Sequence, residues 1–258
     1  AGLERLLERH ERWHDLIALW QRQLDTQTRR EREKTLTRIA TCWLEQVGDE
    51  TQALAVARRL LSEAEADHDA CAFLERIVQS TTAKRPIRDG AIELLRSHYE
   101  GSGRPRDVVR VLELAISADP AGSHLLREEA ASRLAELGND DAALEHYAQL
   151  LLALPDSSVT LERLRLVSQR SGQWERYAQA VLAAALTAKA GRRVELFTEA
   201  ARTRLDLLGD AEGATALYLQ TLQTPDLSEH DELTVQRRLS ELYSRANQVR
   251  AQLDTLER

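Results

Sequence analysis

The stretch Leu137-Gly138-Asn139-Asp140-Asp141-Ala142-Ala143-Leu144 reads as the end of one helix, a glycine turn and the start of another. Glycine or asparagine just past a helix end takes up the left-handed conformation that a side chain with a Cβ resists. Kindred blocks run from Val47-Gly48-Asp49 to Leu54, Ser102-Gly103-Arg104 to Val109, Ser171-Gly172-Gln173-Trp174 to Ala178, and Leu208-Gly209-Asp210 to Thr215. Two degraded copies flank them. His10-Glu11-Arg12-Trp13 carries Glu11 in the glycine slot, and the other is Ala246-Asn247-Gln248-Val249. From Glu11 to Asn247 the successive spacings are 37, 55, 35, 34, 37 and 38 residues. A period in the middle thirties with one turn per repeat is the mark of stacked helical hairpins. Such a chain reads as a binding surface before it reads as an enzyme.

Apolar spacing and punctuation place the helices. Leu125, Leu126, Ala130, Leu134 and Leu137 form a stripe that Gly138-Asn139 ends, and the partner helix is expected to bury Ala143, Leu144, Tyr147, Leu150 and Leu151 before Pro155 stops it. Asp156 and Ser157 then offer N-caps. Asp119-Pro120 and Thr224-Pro225 repeat that grammar, and Pro105 falls in a first turn, where proline is tolerated. The 55-residue interval exceeds a repeat by the length of a helix and its turn. Ala72 to Ser80 reads as a helix, Thr81 to Pro86 as a break, and Ile87 to Glu100 as the next helix, so a third helix is inserted or a hairpin has lost a member.

Composition agrees. Of 258 residues, 43% are apolar but only 4% aromatic, so Leu and Ala fill the interior; 11 Gly and 5 Pro fall largely between helical stretches. The expected class is all-α: a right-handed α-solenoid of stacked antiparallel helix pairs over 1–258, with about 14–15 helices, one irregular repeat near residues 66–104, and turns near 11, 48, 103, 138, 172, 209 and 247. A formal charge of −7 argues against nucleic acid or an anionic membrane as partner. No apolar run approaches the roughly 20 residues that span a bilayer. Cys42 and Cys71 suggest no disulfide framework, which leans towards a reducing, cytoplasmic setting. The absence of Met reads as a segment cut from a longer protein, and an excess of Arg over Lys, 32 to 3, hints at a GC-rich bacterial genome.

The offsets from each turn glycine make the pattern resemble tetratricopeptide repeats. That family places a small residue five positions after the glycine, a large apolar or aromatic one nine after, and a proline seventeen after. Gly138, Ala143, Tyr147 and Pro155 match all four. Gly103 has Leu112 and Pro120 but Val108 at the small position. Gly48 has Ala53, with Ala57 where bulk is expected. Gly209 has Ala214 and Tyr218, with Pro225 one residue early, and Gly172 has Tyr177 at the small position. Arg96, Arg165 and Arg202 fall where the family packs a small residue.

The resemblance implies a groove lined by the first helices, holding a segment of a partner protein. Its register turns the position ten residues before each glycine to the concave side: Glu93, Glu128, Glu162 and Glu199, with Arg38 and Arg237 in flanking repeats. One turn further along stand Cys42, Ser97, Ser132, Leu166, Thr203 and Glu241. A carboxylate ladder favours a basic or N–H-rich segment through charge-assisted hydrogen bonds. The plainer reading is a solvated face, since Glu93-Arg96, Glu162-Arg165 and Glu199-Arg202 are i,i+3 pairs, worth about 0.2–0.5 kcal/mol each.

The sharpest chemical motif is His10-Glu11-Arg12-Trp13-His14, a literal H-E-x-x-H, with Glu33 at the distance of a third zinc ligand in the zinc peptidases it resembles. It is read as chance, because the repeat alignment puts Glu11 and Arg12 in a turn, where the two imidazoles need not share a face. His68, His98, His124, His146 and His230 are scattered singly, and Cys42 reads as a packed residue. No Gly-rich phosphate loop or nucleophile elbow occurs. The expectation is therefore no catalytic residue, metal or cofactor. Trp13, Trp20, Trp43 and Trp174 are expected between helices, or as partner anchors where exposed. The competing reading is a rigid spacer or an arm that self-associates through its terminal repeats.

Overall fold

A computed structural model describes residues 2–63, 68–80, 83–223 and 227–256, with side chains other than those of residue 190 and of residues 245 onward. The described residues hold 14 α-helices and no strand. They group into two compact units, residues 1–126 and 127–258, where the repeat pattern alone suggests one array.

In the first unit the helices are α1 (Gly2–Arg9), α2 (Trp13–Gln23), α3 (Arg29–Cys42), α4 (Glu50–Glu63), α5 (His68–Gln79), α6 (Arg85–Gly101) and α7 (Pro105–Ala118). Helix α8 (His124–Glu136) begins there and runs on into the second unit. That unit continues with α9 (Asp140–Ala153), α10 (Ser158–Ser171), α11 (Trp174–Thr187), α12 (Ala190–Asp206), α13 (Ala211–Leu222) and α14 (Glu229–Leu256). Helices pair across the turns, α3 on α4, α6 on α7 and α12 on α13, and successive pairs stack, α9 touching both α10 and α11.

The turns carry the expected signature. Gly48, Gly103, Gly138, Gly172 and Gly209 all have φ between 65° and 74°, and the one described non-glycine residue with positive φ is Glu11, at 55°. Glu11 therefore performs the glycine's task at a conformational cost of roughly 1–2 kcal/mol. Glu11→Gly should stabilise the first unit by about 0.5 kcal/mol, the relief of strain being partly offset by the looser unfolded chain. A urea midpoint measures it. The seventh turn, expected near Asn247, is absent: α14 runs unbroken through it. Asn tolerates the left-handed region, but here nothing compels the helix to leave its hydrogen-bond ladder.

Repeat length is partly absorbed at the turns. After Glu11, Gly103, Gly138 and Gly172, the next amide reaches back five residues, as from Asn139 N to Leu134 O (2.9 Å). After Gly48 and Gly209, which close 37-residue intervals, it reaches back six, from Asp49 N to Trp43 O (2.9 Å) and from Asp210 N to Arg204 O (2.8 Å). The widening before Gly48 takes the form of a π-helical turn, Trp43–Val47.

Burial follows the tetratricopeptide-like offsets. Ala53, Ala143 and Ala214 have no exposed surface, so paired helices approach closely there; Val108 and Tyr177 fill the same position in their repeats, equally buried. Nine residues after the glycines, Leu112, Tyr147, Val181 and Tyr218 are buried. Each unit is thus a stack of divergent tetratricopeptide-like helix pairs. The expected α9 core, Ala143, Leu144, Tyr147, Leu150 and Leu151, is the observed one. On α8 the stripe differs: Ala130, Ala131 and Leu134 are buried, whereas Leu125 is 81% exposed. Nine residues at 100° each put Leu125 half a turn around the axis from Leu134. Ser157 caps α10 by accepting from Thr160 N (3.2 Å), Pro155 follows α9, and Pro105 opens α7. The stop expected at Pro225 and the start of the break at Thr81 lie outside the described residues.

The long interval holds an inserted helix, α5, packed against α3, α4, α6 and α7. It is buried through Ala70, Cys71, Phe73, Leu74, Ile77 and Val78, nearly two full faces. Polar contacts fasten it as well. The Tyr99 hydroxyl of α6 donates to Glu75 Oε1 (3.1 Å), and Arg110 Nη1 of α7 donates to Glu75 Oε2 (2.7 Å). The Arg104 guanidinium lies 4.6 Å from the Tyr99 ring centroid. Burial, then the Cys71 contact, pushes the Tyr99 hydroxyl far above its ordinary pKa, so it stays a donor. Pro86 sits in the first turn of α6 and starts that helix.

Candidate partner-binding hollows on the first helices

Each unit has a hollow on the side of its first helices. In the first unit α1, α2 and α3 border an open hollow of about 390 Å³, lined by Glu8, Trp13, Leu16, Trp20, Thr37, Arg38, Thr41, Cys42 and Gln46. Trp13, Leu16 and Trp20 recur at three and four residues, so α2 presents one apolar face. Arg38 and Cys42 are the positions that the repeat register turns towards the open side. The Arg38 guanidinium lies 4.3 Å from the Trp20 ring centroid, and its Nη2 is 3.9 Å from both Glu4 Oε2 and Glu8 Oε1. Half-exposed ion pairs at that distance contribute about 0–1 kcal/mol. Trp20 is 4% exposed, and its indole N–H has no acceptor among the described residues, an omission worth roughly 1–3 kcal/mol. Burial raises the Cys42 thiol pKa, and the nearby Glu8 carboxylate adds to the rise, so Cys42 is a packed thiol.

In the second unit a smaller hollow of about 190 Å³ lies between α8, α9 and α10. Ser132 and Leu166, again register positions, line it with Tyr147, Arg163 and Arg170. Arg170 is engaged, donating to Asp140 across the turn and to Ala135 O (2.9 Å). Arg163 makes no hydrogen bond or ion pair among the described residues, and Leu166 is half exposed. The Tyr147 hydroxyl has a raised pKa, chiefly from burial; Arg163 and a hydrogen bond with Ser132 pull the other way, while Glu128 and Glu136 add to the rise.

The glutamates of the expected ladder have different surroundings. Glu93 belongs to the first unit and lies 3.7 Å from Arg96. Glu128 and Glu162 are exposed and form no hydrogen bond or ion pair among the described residues. Glu199 is half-buried and accepts the Tyr177 hydroxyl (2.9 Å), tying α12 to α11. Burial first, then Glu199, pushes Tyr177 far above its ordinary pKa. Arg237 is exposed, 4.0 Å from Glu241. Of the three i,i+3 pairs, only Glu93–Arg96 forms among the described residues.

The H-E-x-x-H residues straddle a turn. His10 and Glu11 lie between α1 and α2, while His14 is on α2 with its ring edge-on to Trp43 at 5.4 Å. Among the described residues no three His, Cys, Asp or Glu side chains gather as metal ligands would. No described helix is long and apolar enough to cross a membrane. Sequence reading missed Trp20 as a hollow-lining residue and missed the π-helical turn. The i,i+3,i+7 spacing of Trp13, Leu16 and Trp20 was the available signal for the first; nothing local marks the second.

No family model matches the chain, and no curated protein matches it. Among solved structures it is similar to the chain in the Naa15/Naa10 structure bound to HypK-THB, at 15% identity and a TM-score of 0.40, over 99% of this chain and 36% of that one. It is similar to the tetratricopeptide-like repeats of a Podospora anserina protein of kinesin-light-chain type, at 15% identity and a TM-score of 0.33, over 82% and 99% of the two chains. Pseudomonas aeruginosa PilF gives 16% identity and a TM-score of 0.29, over 83% and 99%. The chain spans about a third of the length of the first of these.

Proposed function

We propose that this chain is a non-enzymatic scaffold that holds a segment of a partner polypeptide along the open side of its first helices. The observation that carries the reading is the lining of the two hollows. Arg38, Cys42, Ser132 and Leu166, placed on that side by the repeat register alone, line them. Helices presenting such a surface hold a peptide at little ordering cost to themselves. Exposed Glu128 and Glu162, which have no ion partner among the described residues, suit a basic segment, and Glu93 and Arg237 stand at the same register positions. Glu199 is already engaged by Tyr177, so its part is to position α12. The test is peptide capture by the full chain from a random array. Thr41→Arg, which fills the larger hollow, should weaken the best binder at least tenfold. Arg58→Ala, on an exposed position of α4, should leave it unchanged. Equal binding by the Thr41→Arg chain would exclude the first hollow.

One observation favours the spacer or oligomerisation reading. Leu3 and Leu6 of α1 are 56% and 54% exposed, an apolar stripe suited to self-association. Sedimentation at rising concentration separates the two readings: a constant monomer supports recognition, a dimer lost on Leu3→Ser and Leu6→Ser supports assembly.

A further inference from the structure

The hollow between α1, α2 and α3 already contains a ligand-like group, supplied by the chain itself. The Arg38 guanidinium lies over the Trp20 indole, 4.3 Å from its centroid, with Glu4 and Glu8 each 3.9 Å from one of its amino groups. An aromatic face flanked by carboxylates is the setting that stabilises a planar cation. Arg38 is nevertheless half exposed and both its ion pairs are long, so its hold there rests chiefly on the indole face. Below it Trp13, Leu16 and Thr41 offer largely apolar walls to an alkyl stem, and the volume of about 390 Å³ falls in the range of small-ligand sites. Two further features are unused by the fold. The buried Trp20 indole N–H lacks an acceptor among the described residues, and the π-helical turn Trp43–Val47, a feature frequent at functional sites, carries Gln46 to the edge of the hollow.

We infer that this hollow is a guanidinium site, that Arg38 is its resident occupant, and that an arginine of a basic partner segment displaces it. The inference rests on the scaffold reading and gives the partner its chemistry. Once Arg38 swings out, Glu8 on the hollow's wall and Glu4 beside the vacated guanidinium position lose that cation, so charge favours a basic newcomer over a neutral or acidic one. The orphaned indole N–H then donates to a backbone carbonyl beside the incoming arginine.

The test uses the nitrogen-15 spectrum of the full chain, in which four indole N–H signals report on its four tryptophans. N-acetyl-arginine amide, N-acetyl-leucine amide and N-acetyl-glutamate amide are titrated into the wild-type and Arg38→Ala chains. The arginine amide should shift the Trp20 signal saturably and bind the Arg38→Ala chain at least tenfold tighter than wild type, with at least tenfold preference over both other amides. Equal or weaker binding to Arg38→Ala, or leucine amide binding as well as arginine amide, would overturn the assignment. A second variant stands independently of how Arg38→Ala folds: Glu8→Gln, at an exposed position, should weaken arginine-amide binding at least threefold, and unchanged affinity would contradict the site. Capture of arginine-free and arginine-bearing peptides with equal strength by wild type discards the guanidinium site and leaves the scaffold reading standing. Failure of every chain to capture any peptide discards both.

Discussion

Leu74→Ala should lower the stability of the first unit by about 3 kcal/mol, the middle of the range for a leucine truncated in a packed core. Leu74 has no exposed surface and lies on α5, the helix that interrupts the repeat pattern. Were α5 a surface ornament, the loss would fall below 1 kcal/mol, because a loosely attached helix relaxes around the missing atoms. The inserted helix instead touches α3, α4, α6 and α7, so collapse around the cavity would disturb several packed faces together. The cost appears as a lower urea midpoint, assigned to this unit by faster amide exchange in α5, α6 and α7. Leu125→Ala is the matched control: at 81% exposure it should change stability by no more than about 0.5 kcal/mol.

The second large effect comes from the opposite kind of change. Ala143→Leu should destabilise the second unit by about 2 kcal/mol, since added methylenes at a completely buried position force neighbouring side chains off their rotamers. Ala143 is the small residue five positions after Gly138, and closeness of the paired helices depends on it. Ala142→Leu, one position away and only half-buried, should cost much less. Equal midpoints for the two variants would mean that the helix pair does not close at the alanine, and the hairpin account would fail. Tyr177 shows the limit of the rule. It occupies the same offset after Gly172 and is equally buried, with its hydroxyl directed to Glu199 in place of a neighbouring backbone.

What could be read in advance follows from which forces are local. A left-handed residue after a helix is dictated by the dihedrals of one position, so five glycines and even Glu11 were legible. The same rule misplaced a turn at Asn247, because asparagine permits the left-handed region without demanding it, and α14 continues. Helix faces were legible where one stripe dominates, as on α9. On α8 the error at Leu125 came from joining leucines that a hundred-degree step sends to opposite sides. The inserted helix was legible as an interval too long, though the Glu75–Tyr99–Arg110 contacts that fasten it were not, since they join residues 11 to 35 positions apart. The register placed Arg38, Cys42, Ser132 and Leu166 on the open side. It could not say that Arg38 would fold back over Trp20, or that Glu199 would be taken by a tyrosine from the preceding helix pair. Those outcomes depend on which side chains the stacking brings together, and no single repeat encodes that.

Photo-crosslinking tests the central claim most directly. The tightest peptide captured from a random array is remade with a photoreactive residue at each position in turn, irradiated with the full chain, and its attachment points are mapped by mass spectrometry. Attachment should fall on first-helix residues such as Thr37, Thr41, Ser132 or Leu166. Attachment confined to outward positions of second helices, such as Ala55, Arg58, Gln149 or Leu152, would contradict a partner held on the open side of the first helices.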